Sequence, residues 1–136
     1  MTLVLNETVR KLLDTPHPAV LTTLNPDGGP QSSVVWLTRE GDEILISTER
    51  GRRKERNIAR DARIGLTVFD LANPFLYAEI RGTATVTEDV GRAIAVRIAE
   101  EYQGPGAGRA YANAPAGNVR VVIRLTPTKV LGNAAG

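Results

Sequence analysis

The chain has 136 residues, 42% of them hydrophobic and 24% charged, a composition typical of one globular domain spanning residues 1–136. The sequence contains no cysteine and a single histidine. These absences exclude a disulfide framework, a thiolate nucleophile, an iron–sulfur cluster and a cysteine–histidine zinc site, and we expect no metal centre. The formal net charge is only +2, so any strongly basic region must be local.

The chain also lacks the sequence features of membrane proteins and of single-strand nucleic-acid binders that use aromatic platforms. No segment approaches the roughly 20 consecutive apolar residues of a membrane span, and the first residues lack the order of a signal peptide. We therefore predict a cytoplasmic protein. Six aromatic residues are too few to predict the stacking platforms of single-strand binders.

The first third of the chain predicts one helix and three strands. Apolar residues recur at helical spacing from Leu5 to Leu13, and Pro16 ends the pattern. This predicts a helix within residues 1–16. The segments that follow carry Asn, Pro, Asp and Gly at predicted turns, so we predict an antiparallel meander. Its three strands are residues 20–24, 31–37 and 43–48.

The central and final parts of the chain add more strands and one basic helix. The helix is predicted over residues 51–62. Strands are predicted over residues 64–70, 77–87 and 118–132. Gly82, inside the long middle strand, predicts a β-bulge and a curved sheet. Residues 103–118 are rich in Gly, Ala and Pro and are predicted to form a flexible loop. The sequence does not decide whether this loop acts as a lid.

A second amphipathic helix is predicted over residues 88–102. Val90, Ile94 and Ile98 recur at helical spacing and would form its apolar face. The acidic residues Glu88 and Asp89 suit the positive end of the helix dipole. With six or more mainly antiparallel strands and few peripheral helices, the sequence predicts a mostly β fold of the barrel type.

Charge is concentrated in one segment. Residues 49–63 carry seven basic and three acidic side chains, a local net charge of +4. Arg52, Arg53 and Lys54 lie at the start of the predicted helix, where the macrodipole disfavours each cation by roughly 0.3–1 kcal/mol. A bound anion would reverse this effect, and phosphate fits the description. A solvated helix with local Arg–Glu pairs remains the alternative.

Protein side chains offer little acid–base chemistry. A Ser-His-Asp triad could use only His17, which lies between two prolines and is more simply a structural residue. Any reaction therefore more plausibly belongs to a bound cofactor.

At this point the sequence resembles a known family, the pyridoxamine-5'-phosphate-oxidase-like split β-barrels, and within it the branch of flavin and deazaflavin oxidoreductases that use coenzyme F-420. The resemblance covers residues 18–132. It is carried by the segments AVLTTLNPDGGPQSSVVWL, ILIST, GRRKERNIARDARIGLTVFD, YAEIRGTATVT and VRVVIRLTPTKVLG. The most specific motif is T-x-x-x-R-x-K-x-x-N, formed by Thr48, Arg52, Lys54 and Asn57.

The resemblance implies a split barrel of the FMN-binding type and a set of cofactor-binding residues. Family members use the T-x-x-x-R-x-K-x-x-N motif to hold the cofactor phosphate, and Arg53 lies within it. The residues implied to face the ring system are Gln31, Ser33, Val34, Val35 and Trp36. Family members are homodimers with shared sites, so the region of Tyr77, our candidate catalytic residue, and Arg120 would come from the partner subunit.

Two departures from the family pattern are visible. Asp61-Ala62 stands where the family often has Asp-Pro, a small change at a helix end. Pyridoxamine-phosphate oxidases proper use an Arg and His pair near the C-terminus, whereas this chain has no histidine after His17. Oxidation of pyridoxamine phosphate is therefore not expected.

The resemblance and the charge together favour coenzyme F-420 as the cofactor. Its phosphate and oligoglutamate tail need more positive surface than the single phosphate of FMN, and the basic segment offers more cations than one phosphate requires. We expect hydride transfer to a small electron-poor organic acceptor. FMN remains the alternative cofactor, and a non-catalytic cofactor carrier or a basic nucleic-acid-binding module are alternative functions. The substrate would be recognised by residues 70–77 and 103–118, whose composition does not identify it.

Overall fold

The computed structural model describes residues 3–136, which contain seven β-strands, four α-helices and two 3₁₀ turns. The strands are β1 (Ala19–Leu24), β2 (Pro30–Val35), β3 (Leu37–Glu40), β4 (Glu43–Glu49), β5 (Arg63–Phe69), β6 (Tyr77–Glu88) and β7 (Arg120–Leu131). The helices are α1 (Glu7–Asp14), α2 (Arg53–Arg60), α3 (Ala93–Gln103) and α4 (Arg109–Ala112), and the 3₁₀ turns are Val90–Arg92 and Asn133–Ala135. No helix within this described part is long and apolar enough to cross a membrane.

All seven strands belong to one antiparallel sheet, in the order β2-β1-β5-β6-β7-β4-β3. The two edge strands, β2 and β3, are separated in the chain only by Trp36. Because one residue cannot span a flat seven-stranded sheet, the sheet curls until its two edges approach each other. The result is a split half-barrel, which confirms the predicted mostly β fold.

The predicted meander of three strands is wrong. Residues 31–37 contain most of β2, then Trp36 and the first residue of β3, and β2 pairs with β1 whereas β3 pairs with β4. Val35 and Leu37 are both buried on the two sides of Trp36. The alternation of buried and exposed residues therefore runs through the break, and the sequence pattern carries no sign that the chain changes its pairing partner.

The interior of the half-barrel is packed with aliphatic side chains from the central strands. Leu21, Leu66, Ile80 and Ile123 are at most 1% exposed. The predicted first helix is confirmed: α1 contributes its buried residues to the same core. These residues are Val9, Leu12 and Leu13.

The predicted bulge at Gly82 is also confirmed. The register between β6 and β7 shifts between Arg81 and Gly82, and Thr128 on β7 is the extra residue. A Cβ atom at position 82 would lie only 2.0 Å from the carbonyl oxygen of Thr126. The two longest strands can therefore approach each other at this point only because residue 82 has no side chain.

Helix α3 begins later than the sequence predicted. Gly91 and Arg92 adopt positive φ angles, so the chain turns sharply before Ala93. Val90, assigned to the apolar face of the helix, is 79% exposed and lies outside α3. The prediction took Val90 for the first apolar position, whereas the buried face consists of Ala95, Ile98 and Ala99.

The turn before α3 is stabilised by one buried carboxylate. Asp89 accepts hydrogen bonds from the backbone amides of Ile94 at 3.0 Å and Ala95 at 2.9 Å. These are free donors of the first turn of α3, where a negative charge also suits the helix dipole.

We expect Asp89→Ala to lower the free energy of unfolding by about 0.5–2 kcal/mol, because the amide donors lose their acceptor. Asp89→Asn keeps one acceptor oxygen and should lose less. Chemical denaturation of the three proteins measures the difference. Equal stability of the alanine variant and the wild type would contradict this capping role.

The segment predicted as a flexible loop, residues 103–118, contains the short helix α4. Gly108 precedes α4 and packs closely on α3, since a Cβ atom there would lie 2.5 Å from Cγ1 of Val96. At the other end, the guanidinium group of Arg92 donates to the carbonyl oxygens of Pro115 and Asn118. The segment is thus attached to the body of the protein at both ends.

Candidate functional site

The half-barrel leaves an opening where its two edges diverge. β3 begins at Leu37, which pairs with Ile46. Within residues 3–136, the following part of β4, from Ser47 to Glu49, pairs with β7 on one side only. A cleft of about 330 Å³ lies between this part of β4 and the end of β2, covered by α3 and α4.

One wall of the cleft is apolar. It is formed by Val34, Val35 and Trp36 together with the small and aliphatic residues of α3. The ring of Trp36 stacks on Tyr102, with 4.6 Å between ring centroids and 14° between planes. The hydroxyl of Tyr102 accepts from the amide of Leu37 at 3.1 Å, and burial raises the pKa of Tyr102. These contacts hold the indole of Trp36 in one orientation at the split.

The opposite wall is polar and positively charged, and Arg120 lies at its centre. Its Nη2 donates to Oγ of Ser47 at 2.9 Å, and its Nη1 lies 3.7 Å from Oε1 of Glu49. The ring of Tyr111 lies over the guanidinium group, 5.0 Å from its central carbon. Its Nε is buried and has no acceptor among the described residues. The guanidinium group as a whole lines the cleft and is suited to bind an anion there.

Lys54 reaches the same cleft from the first turn of α2. Burial lowers the pKa of Lys54, and the positive charges of Arg52 and Arg120 lower it further. Within residues 3–136 the structure gives Lys54 no hydrogen-bond or ion-pair partner. Two cations therefore face one cavity in the free protein, an arrangement that an anionic group would stabilise.

Five of the predicted cofactor-binding residues line this cleft: Val34, Val35, Trp36, Lys54 and Arg120. The resemblance implied that Arg120 comes from the partner subunit. In the structure Arg120 reaches the same cleft as Lys54 of its own chain, because β7 lies directly beside β4.

The other residues predicted on the second strand do not line the cleft. Gln31 and Ser33 face the interior of the barrel, where Ser33 lies opposite Leu21, whereas Val34 faces outward and is 68% exposed. Val34 and Val35 lie on opposite faces of β2 and both line the cleft, so nearness to the end of the strand, rather than its face, distinguishes them from Gln31 and Ser33. The hydroxyl of Ser33 is buried without a partner in the described part of the chain.

The remaining members of the phosphate motif lie around the cleft rather than in its lining. Thr48 is buried in β4. Arg52 and Arg53 are exposed at the start of α2, where Arg52 lies 3.8 Å from Glu49. Asn57 is 1% exposed, and its amide donates to Oγ1 of Thr23 at 3.0 Å and Oδ1 of Asn25 at 3.1 Å. The side chain of Asn57 therefore attaches α2 to the end of β1.

The two candidates for acid–base chemistry lie away from the cleft of their own chain. His17 is buried beside a separate cavity between α1 and residues 70–76, and its Nδ1 has no partner among residues 3–136. Within those residues no serine and acid complete a triad with it. Tyr77 begins β6, packs against Gly132 and is 41% exposed.

Sequence reasoning missed two residues of the polar wall, Ser47 and Tyr111. Ser47 belongs to no sequence motif. It borders the cleft because the pairing of β3 with β4 stops at Ile46, the residue before it. Tyr111 had one available signal: it is the single aromatic residue in a segment otherwise made of small and polar side chains.

Similarity to known proteins agrees with the geometry. Residues 5–134 match the family described as pyridoxamine 5'-phosphate oxidase. A solved protein named as an F-420 reductase has a TM-score of 0.77 and 28% sequence identity, covering 93% of this chain and 98% of its own. No protein with curated function matches the sequence significantly.

Two mycobacterial structures share the fold at lower identity. A conserved hypothetical protein from Mycobacterium tuberculosis has a TM-score of 0.76 and 20% identity, covering 95% of this chain and 84% of its own. An FAD and heme binding protein from Mycobacterium smegmatis has a TM-score of 0.69 and 20% identity, covering 93% of this chain and 68% of its own.

The curled sheet with a basic cleft at its split defines a split-barrel protein of the flavin-binding oxidoreductase superfamily. The chain belongs to the pyridoxamine 5'-phosphate oxidase family.

Proposed function

We propose that this protein is an oxidoreductase that binds coenzyme F-420 in the cleft and transfers a hydride to a small electron-poor organic acceptor. The observation that carries the proposal is the pair of cations at one end of the cleft, Lys54 and Arg120, which have donors without partners in the described chain. The similarity to an F-420 reductase at 28% identity supports the choice of cofactor.

The residues of the cleft fit the two chemical parts of such a cofactor. Lys54 and the guanidinium group of Arg120 suit a phosphate, since both side chains line the cleft and donate charge-assisted hydrogen bonds to anionic oxygens. Val34, Val35 and Trp36 supply an apolar surface of the kind that binds a planar ring system. When bound, a reduced deazaflavin supplies the hydride from its C5 atom. The protein has to hold the ring against the acceptor and exclude water, and no side chain has to titrate.

The surface beside the cleft bears on the choice between coenzyme F-420 and FMN. Arg50, Arg52 and Arg53 lie exposed around the start of α2, beyond the two cations of the cleft. They suit the additional negative charges of the oligoglutamate tail. Arg60, counted among the available cations from sequence, instead donates to Asn57 and to the carbonyl oxygen of Leu24. FMN has a single phosphate, and its binding would require only the two cations of the cleft, Lys54 and Arg120.

Two measurements test the proposal. Native mass spectrometry after titration with FMN and with coenzyme F-420 identifies the cofactor, and we expect coenzyme F-420 to bind more tightly. Deuterium placed at C5 of the reduced cofactor should then appear in the product of an electron-poor acceptor in single-turnover experiments. Appearance of the label in solvent before product would exclude direct hydride transfer. Tight binding without turnover of any acceptor would instead indicate a cofactor carrier.

We further propose that the protein is a homodimer with the cofactor sites near the interface. Large hydrophobic side chains are exposed outside the cleft, including Leu71 at 59%, Phe75 at 82% and Tyr77 at 41%. A second copy of the chain would remove these side chains from water. The interface should exceed ~2,000 Å² and be mainly apolar, as in obligate dimers.

Light scattering of the cofactor-bound protein at micromolar concentration is expected to give twice the monomer mass of 14.6 kDa. Leu71→Ser combined with Phe75→Ser should shift the mass toward the monomer if these side chains lie at the interface. A monomeric wild-type protein would contradict the dimer.

Tyr77 is the candidate catalytic residue within this arrangement. Its exposed phenol is available to a neighbouring subunit, where it would donate a hydrogen bond to negative charge that develops during the reaction. We expect Tyr77→Phe to lower the single-turnover rate by about 10²-fold while cofactor affinity stays unchanged. An unaltered rate would show that Tyr77 only lines the pocket and takes no part in the reaction.

A further inference from the structure

An aromatic side chain beside Arg120 comes from residues 103–118, the segment that the sequence predicts as a loop. Tyr111 lies on α4 and stacks over the guanidinium group of Arg120 at 5.0 Å. The segment is fixed at one end by the packing of Gly108 on Val96 and at the other by the hydrogen bonds of Arg92. These contacts before and after Tyr111 in the chain therefore fix its position.

Arg120 is held in the cleft against electrostatic repulsion. The positive charges of Arg52 and Arg120 both lower the pKa of Lys54, so Arg120 and Lys54 lie close enough to repel each other. Glu49 offsets part of this repulsion, because its carboxylate lies 3.7 Å from Arg120 and is shared with Arg52 at 3.8 Å. The contacts that retain Arg120 are this ion pair, the hydrogen bond to Ser47 and the cation–π contact with Tyr111.

The geometry points to Tyr111 as a positioning residue that holds the guanidinium group of Arg120 at the cleft, where it can bind an anion, an inference that rests on the proposed binding of an anionic cofactor. A guanidinium group attracts aromatic rings on its faces and anionic oxygens along its edges. The central carbon of the Arg120 guanidinium group lies over the ring of Tyr111, and both side chains line the cleft. The ring and the anion can therefore bind Arg120 together, and the ring limits the orientation from which the anion is bound.

The inference predicts that Tyr111 acts on anions only through Arg120. A double-mutant cycle measures this dependence, with inorganic pyrophosphate as a probe that has no ring to stack on Tyr111, and with FMN and coenzyme F-420 alongside. We expect Tyr111→Ala to weaken pyrophosphate binding about 3- to 10-fold. Tyr111→Phe keeps the stacking and should stay within about twofold of wild type. In an Arg120→Gln background, Tyr111→Ala should have no further effect.

A measurement without any ligand separates positioning from direct contact. The Nε–H group of Arg120, assigned by its loss in Arg120→Gln, should have a high NMR order parameter in the wild type and in Tyr111→Phe. It should become flexible, below about 0.6, in Tyr111→Ala.

Three outcomes would overturn the inference. An Nε–H group that stays rigid in Tyr111→Ala would show that other contacts hold Arg120. Equal losses of affinity from Tyr111→Ala with and without Arg120 would show that Tyr111 touches the ligand itself. A wild type that binds none of the three probes would overturn the proposed cofactor site and this inference with it. A wild type that binds them, with affinities that Tyr111→Ala leaves unchanged, would overturn this inference alone.

Discussion

Replacing Lys54 by alanine is expected to raise the dissociation constants of coenzyme F-420 and FMN about 10- to 150-fold. Lys54 faces the cleft with no partner among the described residues, and its ammonium group is partly desolvated beside Arg120. Loss of one charge-assisted hydrogen bond to a phosphate costs about 1.5–3 kcal/mol, which corresponds to this range. Isothermal titration calorimetry of the wild type and the variant measures the change.

Arg56→Ala is the matched control for this experiment. Arg56 lies on the same helix, is exposed and does not line the cleft, so its removal changes the net charge equally without removing a phosphate contact. We expect its effect to stay within a few-fold and to disappear at high salt. Equal effects of the two substitutions would indicate general electrostatic attraction and would remove Lys54 from the phosphate site.

Gly82→Ala is expected to destabilise the fold by about 3 kcal/mol or more. The added Cβ atom would lie 2.0 Å from the carbonyl oxygen of Thr126 and 2.9 Å from Cδ1 of Leu125. The first of these is backbone in the partner strand, so the contact can be relieved only by separating β6 from β7. The midpoint of chemical unfolding should fall accordingly, or the variant should fail to accumulate as folded protein.

Gly65→Ala provides the comparison within the same sheet. Gly65 lies on β5, directly opposite Arg81 of β6. A Cβ atom there would meet only Oε2 of Glu79, at 4.0 Å. Stability should therefore change by less than about 1 kcal/mol. Similar losses from the two substitutions would mean that alanine is unfavourable in this sheet generally, and the close approach at Gly82 would not be the cause.

The sequence predicted the elements of this fold better than their connections. Periodicity and turn residues located α1, α2 and the long strands because each pattern depends on one element and the core it faces. The break at Trp36 depends on two different pairing partners, which no local pattern records. The late start of α3 has a local cause, the positive φ angles of Gly91 and Arg92, which the apolar periodicity through Val90 does not record.

The charged part of the site was more accessible to sequence reasoning than its geometry. Arg52 and Lys54 stood out because cations are unfavourable at the start of a helix unless an anion binds there. That Arg120 joins Lys54 in the cleft of one chain follows from the pairing of β7 with β4, a long-range feature. Tyr111 could not be assigned because its role depends on where a glycine-rich segment folds back over that pair.

The strand order has a consequence for how the polypeptide is made. Among the seven strands of this sheet β7 comes last in the chain, yet it lies between β6 and β4. Until it emerges, the sheet exists as two separate pieces, β2-β1-β5-β6 and β4-β3, each with an unpaired edge where β7 will insert. Formation of the barrel therefore has to wait until β7 has been synthesised, and nascent chains without β7 expose the edges through which proteins aggregate. For a protein of this topology, protection during synthesis matters as much as the stability of the finished fold.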